Sequence, residues 1–506
     1  MRNASWLVVV SFVACGPHGR DPINGDGSNG IDAPPVNKCK VQDDGNAVPN
    51  CTKTAPPGSF TPAIKWTWTG TTEPYSIVTP LVANLTDDNG DGAIDLCDIP
   101  DVVVTASVDS GYPQSPGHIY LLDGKTGAEE LMIPTTIDST VTPAIGDINH
   151  DGIPDIVTVD TDGKLWAFDH TGTPIFGPAG QWGSPGDDSW YSGAIALADL
   201  DHDGNVEIIG GNTVWDDHGT VMWNAPSEQA LWNATTVADL DGDGYMEVVL
   251  GNAAYHHDGT LYWQTSLAAG YPQVANLDDD PEPEVLLTNE NGISLIKHDG
   301  TVVYQDLTPT GVEVGGTNWI RPATIHDFGG TGHAEYAMSS ASFYTVYSPT
   351  GGIVWSAPVS DESGIAAGTA FDFLGSGTAE AMYADESQMF VFDSTGHVLL
   401  MIPRTSGTLT EYPVVADIDN DGAADIVVVS NSIGGAAASP TVQVIHDEQD
   451  RWIQARRIWN EHTYHVTNVR EDGTIPANEV PSWTALNTFR TNAQIDGASV
   501  CQPVIP

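Results

Sequence analysis

Residues 238–249 read ADLDGDGYMEVV. Asp239, Asp241 and Asp243 stand at every second position, Gly244 follows, and Glu247 closes the run. Alternating carboxylates can surround a hard cation, and Ca2+ accepts about six to eight oxygens in flexible geometry. Mg2+ demands stricter octahedral geometry and fits this spacing less well. A glycine at position 6 permits the sharp turn that gathers the oxygens. An EF-hand would need an acid at position 12 and helices on both sides. Position 12 is Leu250 counted from Asp239, Thr158 from Asp147 and Val428 from Asp417. The acid falls at position 9 instead, and the flanking residues are short β-branched runs, so the stretch is a corner between two strands.

The corner recurs eight times, beginning at Asp87, Asp147, Asp199, Asp239, Asn276, Asp327, Asp372 and Asp417. Each is followed by a run such as DIVTVD, EVVLGN or DIVVVS. A second repeat lies inside the first: DDHGTVMW, HHDGTLYW, KHDGTVVY and SPTGGIVW pair a tight hairpin turn with an outer strand. Four short strands in roughly 40–50 residues is the rhythm of a propeller blade. The expected fold is all-β, a β-propeller of eight four-stranded blades, with seven as the alternative. The strand-like AIKWTWTG, residues 63–70, lacks a blade of its own and could complete the last one; DRWIQARR, residues 450–457, competes for that place.

The corners are unequal. Full ligand sets occur in the first (Asp87, Asn89, Asp91, Asp95), second (Asp147, Asn149, Asp151, Asp155), third (Asp199, Asp201, Asp203, Glu207), fourth (Asp239, Asp241, Asp243, Glu247) and eighth (Asp417, Asp419, Asp421, Asp425). The fifth offers Asn276, Asp278, Asp280 and Glu284, but Pro281 replaces the glycine. The sixth and seventh keep Asp327, Glu335, Asp372 and Glu380 and lose the middle ligands to Gly329, Thr331, Leu374 and Ser376. The expectation is five or six Ca2+ ions.

Corner and rhythm together resemble the FG-GAP/VCBS repeats of integrin α-subunits and many bacterial surface proteins, over residues 62–450. The resemblance implies a propeller whose acidic loops, between the first and second strands of a blade, bind calcium. The Phe-Gly and Gly-Ala-Pro signature itself is not cleanly present.

Sixteen Lys and Arg stand against 68 Asp and Glu, a net charge of −52. Such a chain disfavours nucleic acid, whose phosphates need cations, and charge-driven binding to an anionic membrane. Its carboxylates repel one another, and bound cations offset that repulsion. Residues 1–15 read as a signal peptide ending in FVAC, with Cys15 as a lipidation site in the manner of a bacterial lipoprotein. A Gly/Pro/Asp-rich tether follows over 16–60, with an end-to-end reach of about 35–40 Å. The remaining cysteines suggest Cys39–Cys51 and Cys97–Cys501.

Loops entering each first strand carry aromatic residues: Tyr75, Trp190 with Tyr191, Trp232, Tyr271, Trp319 and Tyr412. On the face opposite the acidic corners they could stack on sugar rings, or wedge between blades. The tail, 451–506, breaks the repeat and concentrates Arg451, Arg456, Arg457, Arg470 and Arg490 with Trp459, His462, His465 and Trp483. It reads as a cap whose arginines pair with the acidic body, or as a recognition or catalytic site. No serine-nucleophile elbow, phosphate loop or HExxH motif is present. The reading is an exported, monomeric binding or adhesion module for a glycan or protein at the cell surface or in the periplasm, touching membrane only through its anchor. A polysaccharide lyase is the alternative, because such calcium propellers also resemble rhamnogalacturonan lyases.

Overall fold

The first strands of the blades are mostly short, apolar and buried, as in Ala144–Gly146, Ile195–Ala198 and Val414–Ala416. The last strand alternates in exposure, as in Val221–Asn224 and Val398–Pro403. This gradient is what a radial arrangement produces. A computed structural model describes residues 39, 41, 53–108, 115–182, 193–226, 234–278, 280–308, 321–361, 365–432 and 439–495. Among them are eight antiparallel sheets, each with four strands in radial order, the first blade adding a short fifth strand, Ile137–Asp138, beside Pro116–Asp123, and a single one-turn helix, Ser482–Ala485. First strands of successive blades lie side by side, so they line the centre of a ring. Eight blades, not seven, close it.

Closure uses the opening strand. Pro62–Trp68 pairs antiparallel with Val442–Asp447 as the outermost strand of blade 8. AIKWTWTG therefore fills the place, and the competing DRWIQARR lies elsewhere. Trp66 then does what an outer-strand aromatic does at other junctions. Its indole donates to the Gly124 carbonyl of blade 1 at 2.7 Å. Trp223 donates likewise to His257 at 2.9 Å, and Trp263 to His298 at 2.8 Å. Each ring lies over the hairpin glycine of the next blade. Gly259 has φ +80°, and a methyl there would stand 2.7 Å from the Trp223 ring. The DG hairpin and outer-strand tryptophan of the sequence repeat are two halves of one junction.

The C-terminal segment does not sit on the ring as a cap. It runs inside it. Trp459 bridges Val82 of blade 1, the Ile145 amide of blade 2 donates to Asn460, and the Leu197 amide of blade 3 donates to Glu461. Thr463 reaches Thr235 beside blade 4. After an excursion the chain returns at Asn487 on Asn276 of blade 5, Phe489 on Ile325 of blade 6, Thr491 on Ala370 of blade 7 and Asn492 on Val415 of blade 8. The segment thus makes one circuit and fills the centre. Trp459 and Tyr464 stack there at 4.5 Å, both fully buried.

The disulfide expectation is corrected: Cys39 pairs with Cys97, their Cα atoms 4.9 Å apart. Cys15, Cys51 and Cys501 lie outside the described residues, as does the expected signal segment. No helix among the described residues is long and apolar enough to cross a membrane.

Candidate metal corners and the filled centre

Every acidic corner lies between the first and second strands of its blade, and those of blades 2, 3, 4 and 8 share one hydrogen-bonded frame. The position-9 acid begins the second strand and accepts the amide of position 2. Asp155 holds Ile148 at 3.0 Å, Glu207 holds Leu200 at 2.7 Å and Glu247 holds Leu240 at 2.8 Å. The position-1 acid accepts the amide of position 6: Asp147 from Gly152, Asp199 from Gly204, Asp239 from Gly244 and Asp417 from Gly422. Blade 7, which lacks the middle carboxylates, keeps both bonds through Asp372 and Glu380; blade 6 keeps the Asp327–Gly332 bond, while Glu335 accepts the amide of position 3, Gly329. Positions 1 and 9 are therefore scaffold as well as candidate ligands, and positions 3 and 5 distinguish a cation site.

The donor set of blades 2 to 4 suits a hard divalent cation. In blade 3, oxygens of Asp199, Asp201 and Asp203 lie within 4.8 Å of one another. Asp199 Oδ1 is buried there without a hydrogen-bond partner. Burial pushes Asp155 up to about 7 and Glu207 up to about 8. Glu247 rises to about 7, again chiefly by burial. A desolvated carboxylate resists ionisation, and a divalent cation supplies the compensating charge. In blade 2, Asn149, Asp151 and Asp155 complete the set around Asp147. In blade 4, Glu247 also receives His256, whose Nδ1 is 2.9 Å away.

Two corners already contain a cation of the chain's own. In blade 5, Lys297 Nζ lies 2.7 Å from Asp278, 2.9 Å from Asp280 and 3.9 Å from Glu284. Asn276 turns its amide to the Asp280 carbonyl. In blade 8, Lys65 Nζ lies 2.5 Å from Asp419, 3.4 Å from Asp421 and 3.1 Å from Asp425. Burial opposes the Lys65 charge, but Asp425 and its neighbours outweigh it and raise the ammonium above its ordinary range. Lys65 belongs to the closing strand, so an ion pair as well as a strand pairing joins the chain ends. Neither lysine is adjacent in sequence to the loop it fills. Register alone would have found Lys297, which stands opposite Glu284 on the third strand.

Blade 1 departs from the expected register. Ala83 pairs with Asp101 as Ala238 pairs with Glu247, so Asp101, not Asp95, begins its second strand. Asp101 accepts the Leu85 amide at 2.8 Å, the position-9 role. Asp87, Asn89, Asp91 and Asp95 lie in an insertion within this corner. There Asp87 accepts the Gly92 amide at 2.9 Å, reproducing the frame. Its twelfth residue is Asp98, a fully buried acid that accepts the amides of Asn89 and Asp95. Counting to twelve from Asp87 would have exposed this EF-hand-like spacing, which the other corners lack.

The expected aromatic rim is not open. Tyr412 is 1% exposed and donates to the His462 carbonyl at 2.5 Å. Tyr271 is fully buried, its ring stacked toward His462. These two are packing residues of the filled centre, neither sugar platforms nor wedges between sheets. Tyr75 is half-buried and pairs with Ser107. Trp190, Tyr191, Trp232 and Trp319 lie outside the described residues.

One of the arginines, Arg451, meets the expected pairing with the acidic body. Arg451 pairs with Asp447 at 2.6 Å, and Arg457 with Glu471 at 2.7 Å inside the segment itself. Arg456 and Arg490 bond backbone carbonyls. His465 pairs with Glu479 at 2.7 Å, while burial and Arg490 keep His462 neutral.

Two family models match: an FG-GAP-like repeat over residues 147–210 and an FG-GAP repeat over 231–262. They cover the corners of blades 2 to 4. No curated protein matches the chain. Among solved structures, the V. cholerae biofilm matrix protein Bap1 aligns at TM-score 0.72 and 22% identity, over 88% of this chain and all of that one. The exotype rhamnogalacturonan lyase YesX aligns at 0.51 and 15% identity, over 80% and 76%. The Bacillus licheniformis rhamnogalacturonan lyase PL11 aligns at 0.50 and 15%, over 91% and 83%. At these identities the likeness is one of fold. The chain is an eight-bladed β-propeller that carries FG-GAP repeats at the acidic corners of blades 2 to 4.

Proposed function

We propose that the protein is an exported, calcium-stabilised propeller that acts as a binding or adhesion module for a glycan or protein outside the cell, held there as a monomer through Cys15. The observation that carries this reading is the filled centre. Glu461, His462 and His465, the groups of the tail best suited to proton transfer, are at most 5% exposed beneath the ring's own strands. A polymer cannot reach them, whereas a lyase needs a base in contact with its substrate. The extent of the likeness to a biofilm matrix protein supports the same reading. Calcium is assigned to the corners of blades 2, 3 and 4 and to the loop Asp87–Asp98. Lys297 and Lys65 serve in its place in blades 5 and 8. The test is a glycan array with the full chain, with and without EDTA, alongside an assay for unsaturated sugars. Calcium-dependent binding without product supports the module. Release of unsaturated sugars would establish the lyase instead.

A further inference from the structure

Asn84 occupies the position-1 place of its corner, where every other blade but blade 5 carries an acid. It is 5% exposed, and neither its Oδ1 nor its Nδ2 has a hydrogen-bond partner. It lines a cavity of about 160 Å³ between the blade 1 insertion, the blade 2 corner and the C-terminal segment. Asp95 and Ile94 come from the insertion, Pro154 from blade 2, and Asp472 and Thr474 from the segment. One water needs roughly 10–15 Å³ of such space, so the cavity has ample room for a sugar ring.

The unpaired amide decides the chemistry. A cation would satisfy Oδ1 and leave Nδ2 buried and unpaired. A pair of neighbouring hydroxyls satisfies both, one accepting from Nδ2 and the other donating to Oδ1. Asp472 takes its two internal bonds, from the Thr474 amide and hydroxyl, on Oδ1 alone. Asp95 accepts the Cys97 amide on Oδ1. Both are half-buried carboxylates able to accept hydrogen bonds from further hydroxyls, and Asp472, outside the proposed calcium loops, disfavours uronates, sulfates and phosphates. Ile94 and Pro154 supply apolar wall for a ring face. We infer that this cavity binds one neutral sugar ring through a vicinal diol held by Asn84, with Asp95 and Asp472 as further acceptors. The inference rests on the binding-module reading and names the glycan class and place for it, on the side of the ring that carries the acidic corners.

The test uses the full chain in saturating calcium. Calorimetric titration with a panel of neutral monosaccharides is compared for wild type, Asn84→Leu and Asn84→Asp. One sugar should bind saturably to wild type, and each variant should bind it roughly tenfold more weakly or worse. Because the amide has no protein partner, Asn84→Leu should melt no lower than wild type. Asn84→Asp, which keeps the shape and loses the donor, supplies the answer if the leucine variant fails to fold. No saturable sugar binding, equal binding by the variants, or a crystal structure holding only water in the cavity at saturating sugar overturns the inference. If wild type and Asn84→Leu bind a glycan array equally, this site is wrong and the module stands. An array blank for wild type, with unsaturated products released, removes the module itself.

Discussion

At Gly259 one added carbon matters twice. Its φ of +80° is strained for any L side chain, and a methyl would press on the Trp223 ring. Gly259→Ala should lower unfolding free energy in urea by about 1–3 kcal/mol; a change below about 0.5 kcal/mol would refute the junction described here. Lys297 makes the opposite argument, since it brings a charge where one is needed. Replacing it by methionine leaves Asp278, Asp280 and Glu284 facing one another without a counter-charge. Lys297→Met should therefore gain one calcium per chain over wild type, measured by elemental analysis after dialysis. An unchanged ion count would show that the ammonium does not stand in for a metal.

At the scale of elements, the C-terminal segment owes part of its hold to a buried pair. Burial opposes the charge on His465, and Glu479 outweighs it, lifting the ring to about 8. Glu461, Glu479, the Thr463 carbonyl and the Phe489 ring face it. A histidine raised above its ordinary value near 6.5 stabilises the folded chain below that value. The contribution is lost as pH rises through about 8. Burial also raises Glu461 to about 7, so its effect too falls with rising pH, over a lower window. In saturating calcium, Tm should fall from pH 6 to 9, and Glu479→Gln should flatten that fall; parallel curves would contradict the pair's role. Much of this element scale was legible in sequence. Corner, hairpin and outer strand repeat, so the rhythm pointed to eight blades over seven and offered AIKWTWTG as one of two candidates for the closing strand. The circuit of residues 459–492 through the centre was not legible, because its contacts are with eight first strands far away in sequence. The lysine-filled corners and Asp101 were hidden for the same reason. Ligand spacing is local, but cross-strand register belongs to the folded sheet.

For the whole molecule, the ring is a charge balance as much as a packing of sheets. With a net charge of −52, its acidic corners divide into those that carry a cation of the chain's own and those that do not. Blades 5 and 8 use Lys297 and Lys65, and blades 6 and 7 dispense with the middle carboxylates. Blades 2, 3 and 4 and the Asp87–Asp98 loop are the ones to which the proposed function assigns calcium. Binding to the folded chain alone stabilises it by mass action, so EDTA should lower Tm and calcium restore it. The sharpest measurement is the number of calcium ions retained per folded chain, counted by native mass spectrometry of the calcium-saturated protein. The account predicts four, one for each loop just named, and loss of one on removing the middle carboxylates of any of them. Six ions would mean that the lysines leave their corners, and none would mean that the acidic corners are scaffold alone.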